Sequence, residues 1–362
     1  MCIVFLSFGS KASGRGGLPL VMIANRDEFF SRPARPIHLW EDPSADSDSA
    51  SRRPQTLAGK DLLAGGIWMG FDAASGRFGC VTNFPSHYAR GRTVAIASDG
   101  PSRGNILHQW LTSSLSPRSW LKSELAPTAL QYDGFSIFIG AVHRDGSASS
   151  DAVDSEAWHA TNRGLATDAN VTQTSSSTSL DNEPDIIVSP ADSDPSTCCF
   201  VARKLSPGIV FGLSNADLDA PWPKTLFGVH LLDSALSALP QPPPTTTSLD
   251  APLISDLFSI LSHTTIPSPP PVPFPPDAPP SHGSIFIKSG GRYGTRASTV
   301  LVVDPEGAFA MEERRWDADG QGVGRMRFGG RVGERVEHIS DESSRVRDES
   351  VSSVGANLEP AL

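Results

Sequence analysis

Met1-Cys2-Ile3-Val4-Phe5-Leu6-Ser7-Phe8 and, after a glycine-rich stretch, Leu18-Pro19-Leu20-Val21-Met22-Ile23-Ala24-Asn25-Arg26-Asp27-Glu28 decide how this chain folds. The run Cys2 to Phe8 is short, rich in β-branched and aromatic residues, and ends at Gly9, which predicts a buried strand. The segment 9–17 predicts a turn, and 18–24 a second strand. Two adjacent strands joined by a loop are most simply a hairpin. The polar tetrad Asn25-Arg26-Asp27-Glu28 then falls at the end of the second strand, on an edge near one end of the hairpin.

Outward from the hairpin, residues 42–54 read as a Ser/Asp/Arg loop and residues 56–83 as a glycine-punctuated meander. Residues 102–113 predict a helix, with Ser102 as N-cap and Ile106, Leu107, Trp110 and Leu111 on one face. A buried strand follows at 135–142, and periodicity then fails from 144 to about 194 except at 157–164. Residues 208–215 restore order, and 250–262 predict a second helix. The proline-dense run 266–280 reads as an extended loop, followed by strands at 284–288, 298–304 and 309–315. Strands at both ends around central helices give an α+β class with layered sheets. A single domain over 1–335 is expected, interrupted by low-complexity, disordered loops at 42–54, 165–200 and 264–282, with a disordered tail at 336–362.

Composition excludes several function classes. With 40 acidic against 30 basic side chains the net charge is -10, unlike the basic footprint of a nucleic-acid-binding protein. The most basic stretch, 325–335, reads as solvated surface. The four cysteines, at 2, 80, 198 and 199, show neither zinc-ligand spacing nor a disulfide framework, which fits a reducing, cytoplasmic compartment. No run approaches the roughly 20 apolar residues that span a bilayer, so membrane association would be peripheral.

The chemistry lies at position 2. Removal of Met1 places a thiol and a free α-amine on one residue, with ordinary pKa values near ~8.5 and roughly 7.7–8.0. The amine can take the thiol's proton, directly or through water, so Cys2 serves as nucleophile and base together. Arg26 and Asp27 are suited to orient the amine and thiolate, and asparagine side chains can donate to a developing oxyanion. The competing reading is structural: a cysteine among Ile, Val, Phe and Leu is commonly a small core residue, and an Arg-Asp neighbour pair commonly a structural ion pair.

Met1-Cys2-Ile3, Ala24-Asn25-Arg26-Asp27-Glu28-Phe29 with Ser31-Arg32-Pro33, and Leu57-Ala58-Gly59-Lys60-Asp61 resemble the NRDE-motif family, the transport and Golgi organization protein 2 family. Further blocks agree in order, among them Gly65-Gly66-Ile67-Trp68, Thr82-Asn83-Phe84, Ser102-Arg103-Gly104, Gly212-Leu213-Ser214-Asn215 with Pro221-Trp222-Pro223-Lys224, and Tyr293 to Thr299. Read locally, Gly65 to Trp68 is a tight turn with a packed indole, and Pro221 to Lys224 a fixed corner. A more distant resemblance is to the cholylglycine-hydrolase branch of the N-terminal nucleophile hydrolases. It implies an αββα sandwich and, as site residues, Cys2, Arg26, Asp27 or Glu28, Asn83, Asn215 and Arg296. That branch separates its Arg and Asp by two residues, whereas Arg26 and Asp27 are adjacent. Only alternate residues of a strand share a face, so Arg26 belongs with Glu28, and Asn25 with Asp27.

Two functions follow as expectations. The family resemblance implies a part in Golgi organisation, protein secretion or the movement of haem or lipid-type metabolites, with Golgi or mitochondrial association. The residues of the first strand imply an N-terminal-cysteine amidohydrolase or acyltransferase acting on a small amide or thioester. No resident cofactor is expected, haem entering only as cargo. Expected partners are a small-molecule ligand or substrate and, at the proline-rich loop, an SH3-like domain; no nucleic acid is expected.

Overall fold

The computed structural model describes residues 2–10, 12–40, 55–85, 100–144, 153–164, 186–188, 197–240, 252–266, 268, 283–288 and 290–342. Its first half runs through β1 (Cys2–Phe8), β2 (Leu20–Phe29), β3 (Ala34–Leu39), β4 (Thr56–Asp61), β5 (Met69–Asp72), β6 (Arg77–Asn83), α1 (Gly104–Leu111), α2 (Pro117–Trp120) and β7 (Phe135–Arg144). The second half runs through β8 (Val153–Gly164), β9 (Ile186–Val188), β10 (Cys199–Lys204), β11 (Val210–Ser214), α3 (Pro223–Ser237) and α4 (Pro252–Leu261). It closes with β12 (Tyr293–Val303), β13 (Ala308–Trp316), β14 (Gly322–Arg331) and β15 (Glu337–Glu342).

The strands form two antiparallel sheets, ordered β11-β1-β2-β12-β13-β14-β15 and β3-β4-β5-β6-β7-β8-β10-β9. Their alternation decides the layers. On β1 and β2, Val4, Leu6, Phe8, Leu20, Met22 and Ala24 point inward to meet Phe71, Phe78 and Phe138 of the other sheet. Ile3, Phe5, Val21 and Ile23 point outward and are covered by Leu232 and Leu236 of α3 and Leu257 and Leu261 of α4. Outside the second sheet, Ile106, Leu107, Trp110 and Leu111 of α1 and Trp120 of α2 pack on Ile137, Ile139 and Trp158. The chain is thus mixed α+β, with two face-to-face antiparallel sheets and few helices on their outer sides.

The expected hairpin of β1 and β2 is present, with Cys2 opposite Arg26. β2 is longer than the sequence suggested. It continues through Asn25-Arg26-Asp27-Glu28 to Phe29, and β12 pairs along its other side. The tetrad therefore lies inside a central strand rather than at a sheet edge. Main-chain hydrogen bonding from both neighbours outweighs the low β-propensity of Asn and Asp there.

Other differences have similar causes. Residues 284–288 form no strand, although Ile285 and Ile287 are buried. The helix α3 went unread because PKTLFGVHLLDSALS carries apolar residues nearly all round. Pro223 sits in its first turn, where a missing N–H costs nothing, so the expected corner is also a helix start. The basic stretch after Arg325 includes most of β14, and α1 begins after Arg103 without a side-chain cap from Ser102. Order extends beyond Arg335 into β15, where a tail had been expected, and β9 lies within the loop expected over 165–200. Residues 42–54, 165–185, 269–282 and 343–362, on which the remaining loop and tail expectations fall, lie outside the described residues.

Candidate active site

Cys2, partly exposed, opens β1 beside a cleft of about 280 Å³. The hairpin supplies one wall through Cys2, Arg26 and Glu28; Trp68, Asn83 and Arg103 form the other. Close backbone approach makes the second wall possible. A Cβ on Gly59 would meet the Trp68 indole at 2.2 Å, and one on Gly66 would meet the Gly104 Cα at 2.6 Å. The turn thus docks directly on the start of α1, and the Trp68 ring lies 4.6 Å beneath the Arg26 guanidinium.

Asp61 is the electrostatic hub of the cleft. Its carboxylate takes the Arg26 Nη2 hydrogen bond at 2.9 Å and the Arg32 Nε bond at 2.6 Å, with Glu28 3.8 Å from Arg32. Burial pushes the Asp61 carboxyl up, but the Arg32 hydrogen bond, the Ala64 N–H and the two guanidinium charges outweigh it and leave it below its usual range. On the opposite wall Arg103 donates to the Gly134 carbonyl at 3.3 Å. Burial lowers its pKa, while the charges of Asp133 and Cys2 act to raise it.

Behind Cys2 the contacts are to neutral groups. The Cys2 main-chain nitrogen donates to Asn215 Oδ1 at 3.1 Å, and Asn215 Nδ2 donates to the Asn83 carbonyl at 2.6 Å. Ser214 Oγ donates to the Cys2 carbonyl at 2.9 Å. Burial pushes the Cys2 thiol up and the Asp27 carboxylate adds to it; the amino-terminal charge, the Asp27 N–H that donates to the sulfur, and Arg26 pull it only part of the way back. Burial also raises the Asp27 carboxyl, against the Lys224 charge and the Thr295 hydroxyl that donates to Oδ1 at 2.6 Å. Cys80, fully buried, has its thiol pushed much further up by burial.

The six residues singled out from sequence fall into three positions. Cys2, Arg26, Asp27 and Asn83 line the cleft. Asn215 sits behind Cys2 and holds it by main-chain nitrogen. Arg296 stands at a bulge of β12 opposite Arg26 and Asp27, under the Phe30 ring, and donates to the carbonyls of Phe29 and Arg32. It braces the turn after β2 rather than lining the cleft. Asp61, Arg103 and Lys224 were not singled out, although each stood in a block quoted for the resemblance. The signal available was a charged residue closing a glycine- or proline-marked turn. Among the described residues no group of three or more His, Cys, Asp or Glu could hold a metal ion.

The family model described as Transport and Golgi organisation 2 matches residues 1–318. The chain belongs to that family. Every residue of this cleft lies within the matched span. The chain is 27% identical over 326 residues to the Transport and Golgi organization 2 homolog of Mus musculus, covering 87% of this chain and 92% of that protein. It is 27% identical over 323 residues to the Bos taurus homolog and 26% over 326 to the Homo sapiens one, with the same coverage. This member of the Transport and Golgi organisation 2 family therefore shares nearly the full length of its animal relatives.

Proposed function

We propose that the protein is an N-terminal-cysteine hydrolase or acyltransferase acting on a small amide or thioester, with an N-terminal nucleophile hydrolase-like fold. One observation carries the reading: at the cleft, the Cys2 thiol and the Cys2 nitrogen, 3.1 Å from Asn215 Oδ1, stand on one residue. Loss of Met1 converts that nitrogen into an α-amine already held by an acceptor. The amine takes the thiol proton, directly or through one water, and the thiolate attacks the substrate carbonyl. The Asp27 N–H and Arg26 favour the thiolate, against burial and the Asp27 carboxylate. Asn83, exposed on the facing wall, donates to the oxyanion in this reading. Collapse forms a Cys2 thioester, breaks the substrate C–N or C–S bond, and returns the proton from the ammonium to the leaving group. Water, or an acceptor amine, then attacks the thioester and regenerates the thiol. Layered antiparallel sheets with outer helices support this reading.

Intact-mass analysis combined with iodoacetamide labelling tests it. The mature chain is expected to begin at Cys2, and Cys2 to be alkylated at least about tenfold faster at neutral pH than Cys80, whose thiol is held protonated. Retention of Met1 would sink the mechanism, because the nitrogen would then be an amide without basicity.

The family match supports a second, non-catalytic reading: a part in transport, secretion or Golgi organisation, as the relatives' names state of them, with haem or a lipid-type metabolite as cargo and peripheral membrane contact. No helix among the described residues is long and apolar enough to cross a membrane. Full rescue of a loss-of-function strain by Cys2→Ala decides for this reading; loss of rescue decides for catalysis.

A further inference from the structure

The loop Leu62-Leu63-Ala64-Gly65-Gly66 leaves the end of β4 and is tied down throughout. The Asp61 N–H donates to the Gly66 carbonyl at 3.0 Å, and the Gly65 N–H to the Asp61 carbonyl at 2.8 Å. The Leu63 and Ala64 N–H groups donate to Asp61 Oδ1 at 3.1 and 2.9 Å, and the Leu62 N–H to the Pro33 carbonyl at 3.0 Å. Gly65 takes a φ of 72°, and a Cβ there would meet no described atom within 4 Å. The loop is therefore a fixed projection, with its backbone satisfied from within and open space outside.

Tight turns are ordinarily dressed in polar residues. This one displays leucines. Leu63 is 68% exposed, Leu62 53% and Phe29 53%, and among the described residues these are the large apolar side chains more than half exposed. Phe29 stands at the same end of the molecule, because the Arg32 N–H donates to its carbonyl at 3.0 Å and Pro33 follows directly. Pro33, Ala64 and Gly65 are exposed as well. Single exposed apolar residues need no explanation, whereas a group of them gathered at one end marks a surface that meets something apolar.

The charges beside this tip leave one sign over. Asp61 and Glu28 are matched by Arg26 and Arg32. Arg35 and Lys60 stand opposite each other where β3 pairs with β4, directly behind the tip. Arg292 is exposed, and its carbonyl takes the Phe30 N–H at 2.8 Å. None of these three basic residues forms an ion pair among the described residues. On a chain of net charge -10 the surplus is local. A projecting apolar tip collared by unpaired cations fits a negatively charged lipid surface, where leucines enter the boundary between headgroups and chains and the cations meet the headgroups. A stable protein partner would need roughly 800 Å² on each side, which two leucines on a turn do not offer.

We propose that the Leu62-Leu63 turn, with Phe29, is a docking tip for anionic lipid bilayers and sets the mouth of the cleft at the lipid surface. Ala64 belongs to both the tip and the cleft, and Asp61 and Arg32 join the two. A seated tip therefore opens the cleft toward molecules held in the membrane. The proposal goes beyond the chemistry of Cys2 and holds for either function of the cleft.

The test is flotation of the full chain with vesicles of phosphatidylcholine, pure or mixed with phosphatidylserine. Binding to the mixed vesicles is expected, with weaker binding to the pure ones and a further loss on raising the salt. Leu62→Asn/Leu63→Asn is expected to weaken binding to the mixed vesicles at least about tenfold. Arg35→Gln and Arg292→Gln should each weaken it about fivefold. Ile187→Asn, an equal change at an exposed apolar side chain of β9, should leave it unchanged within about twofold. Cys2 alkylation by iodoacetamide, unchanged in the leucine variant, shows that the cleft is intact. No binding of the unsubstituted chain to the mixed vesicles, or equal binding by the leucine variant, overturns the proposal. So does a dimer of the unsubstituted chain that the leucine variant alone turns into a monomer, because a second copy then covers the tip.

Discussion

The two faces of Asn25-Arg26-Asp27-Glu28 are held in opposite ways. On the cleft side, Arg26 and Glu28 belong to a charged network through Asp61 and Arg32, whose members are partly open to solvent. On the helix side, Asn25 is buried and spends its amide on neutral partners: Nδ2 donates to the carbonyls of Leu261 at 2.8 Å and Ile285 at 2.9 Å, and Ser298 Oγ donates to Oδ1 at 2.6 Å. Asn25 therefore fastens α4 and the segment before β12 to the sheet, while Arg26 shapes a surface that a ligand can reach. Strand alternation thus separates Asn25 from Arg26 and Glu28, while Asp27, on Asn25's face by alternation, still borders the cleft beside Cys2.

The sharpest way to break this division is Asn25→Ala. It strands two buried carbonyls and a hydroxyl, so a loss of about 4 kcal/mol is expected in urea unfolding, with Cys2 alkylation in the folded protein unchanged within about threefold. A variant that folds normally but loses thiol reactivity would reverse the assignment of the two faces.

Next in size is a pH effect on the inward side. Glu313 of β13 accepts from the Ile37 N–H of the opposite sheet at 3.3 Å, and burial raises its pKa from 4.5 to about 7. Its folded-state pKa lies above the unfolded value, so its contribution is fully present below about pH 4.5 and is lost as pH rises to 7. Glu313→Gln keeps the acceptor and removes the ionisation. It is expected to flatten this limb and to gain up to about 3 kcal/mol relative to wild type above pH 7. Parallel pH–stability curves for the two proteins would show that Glu313 does not titrate across the fold.

Smallest is Asp61→Asn. Arg26, with a side chain only 6% exposed, then keeps its charge without a full counterion. The expected cost is about 2 kcal/mol in the same unfolding assay, since Arg32 and part of the hub face solvent. A cost above that of Asn25→Ala would make the cleft network the main fastening and the helix side secondary.

Much of this was legible in the sequence. The strand Cys2 to Phe8, the apolar face of α1, and the alternation that sorts Asn25 and Asp27 from Arg26 and Glu28 all follow from residue periodicity. What escaped depends on partners distant in the chain. Asn25 to Glu28 read as a strand end because Asn and Asp favour turns, and only β12, some 270 residues on, extends the strand through them. Arg325 read as solvated surface because its partner, the buried Glu312, lies across a β13–β14 pairing invisible to local pattern. Lys224 read as the end of a proline corner because nothing nearby in sequence shows that the first turn of α3 is buried. At the site, the side chains were legible by type and their roles only by contact: Asn215 meets the Cys2 nitrogen, and Arg296 turns toward carbonyls.

The bond between Cys2 and Asn215 spans 213 residues of chain. During synthesis at about 5–20 residues per second, roughly 10–40 s separate the emergence of Cys2 from that of the side chain that receives its nitrogen. Through that interval β1 has no neighbour on its β11 side, and the pairing of Ile3 with Ser214 forms only when β11 arrives. Under the proposed reading, loss of Met1 has this window before Asn215 takes the Cys2 nitrogen.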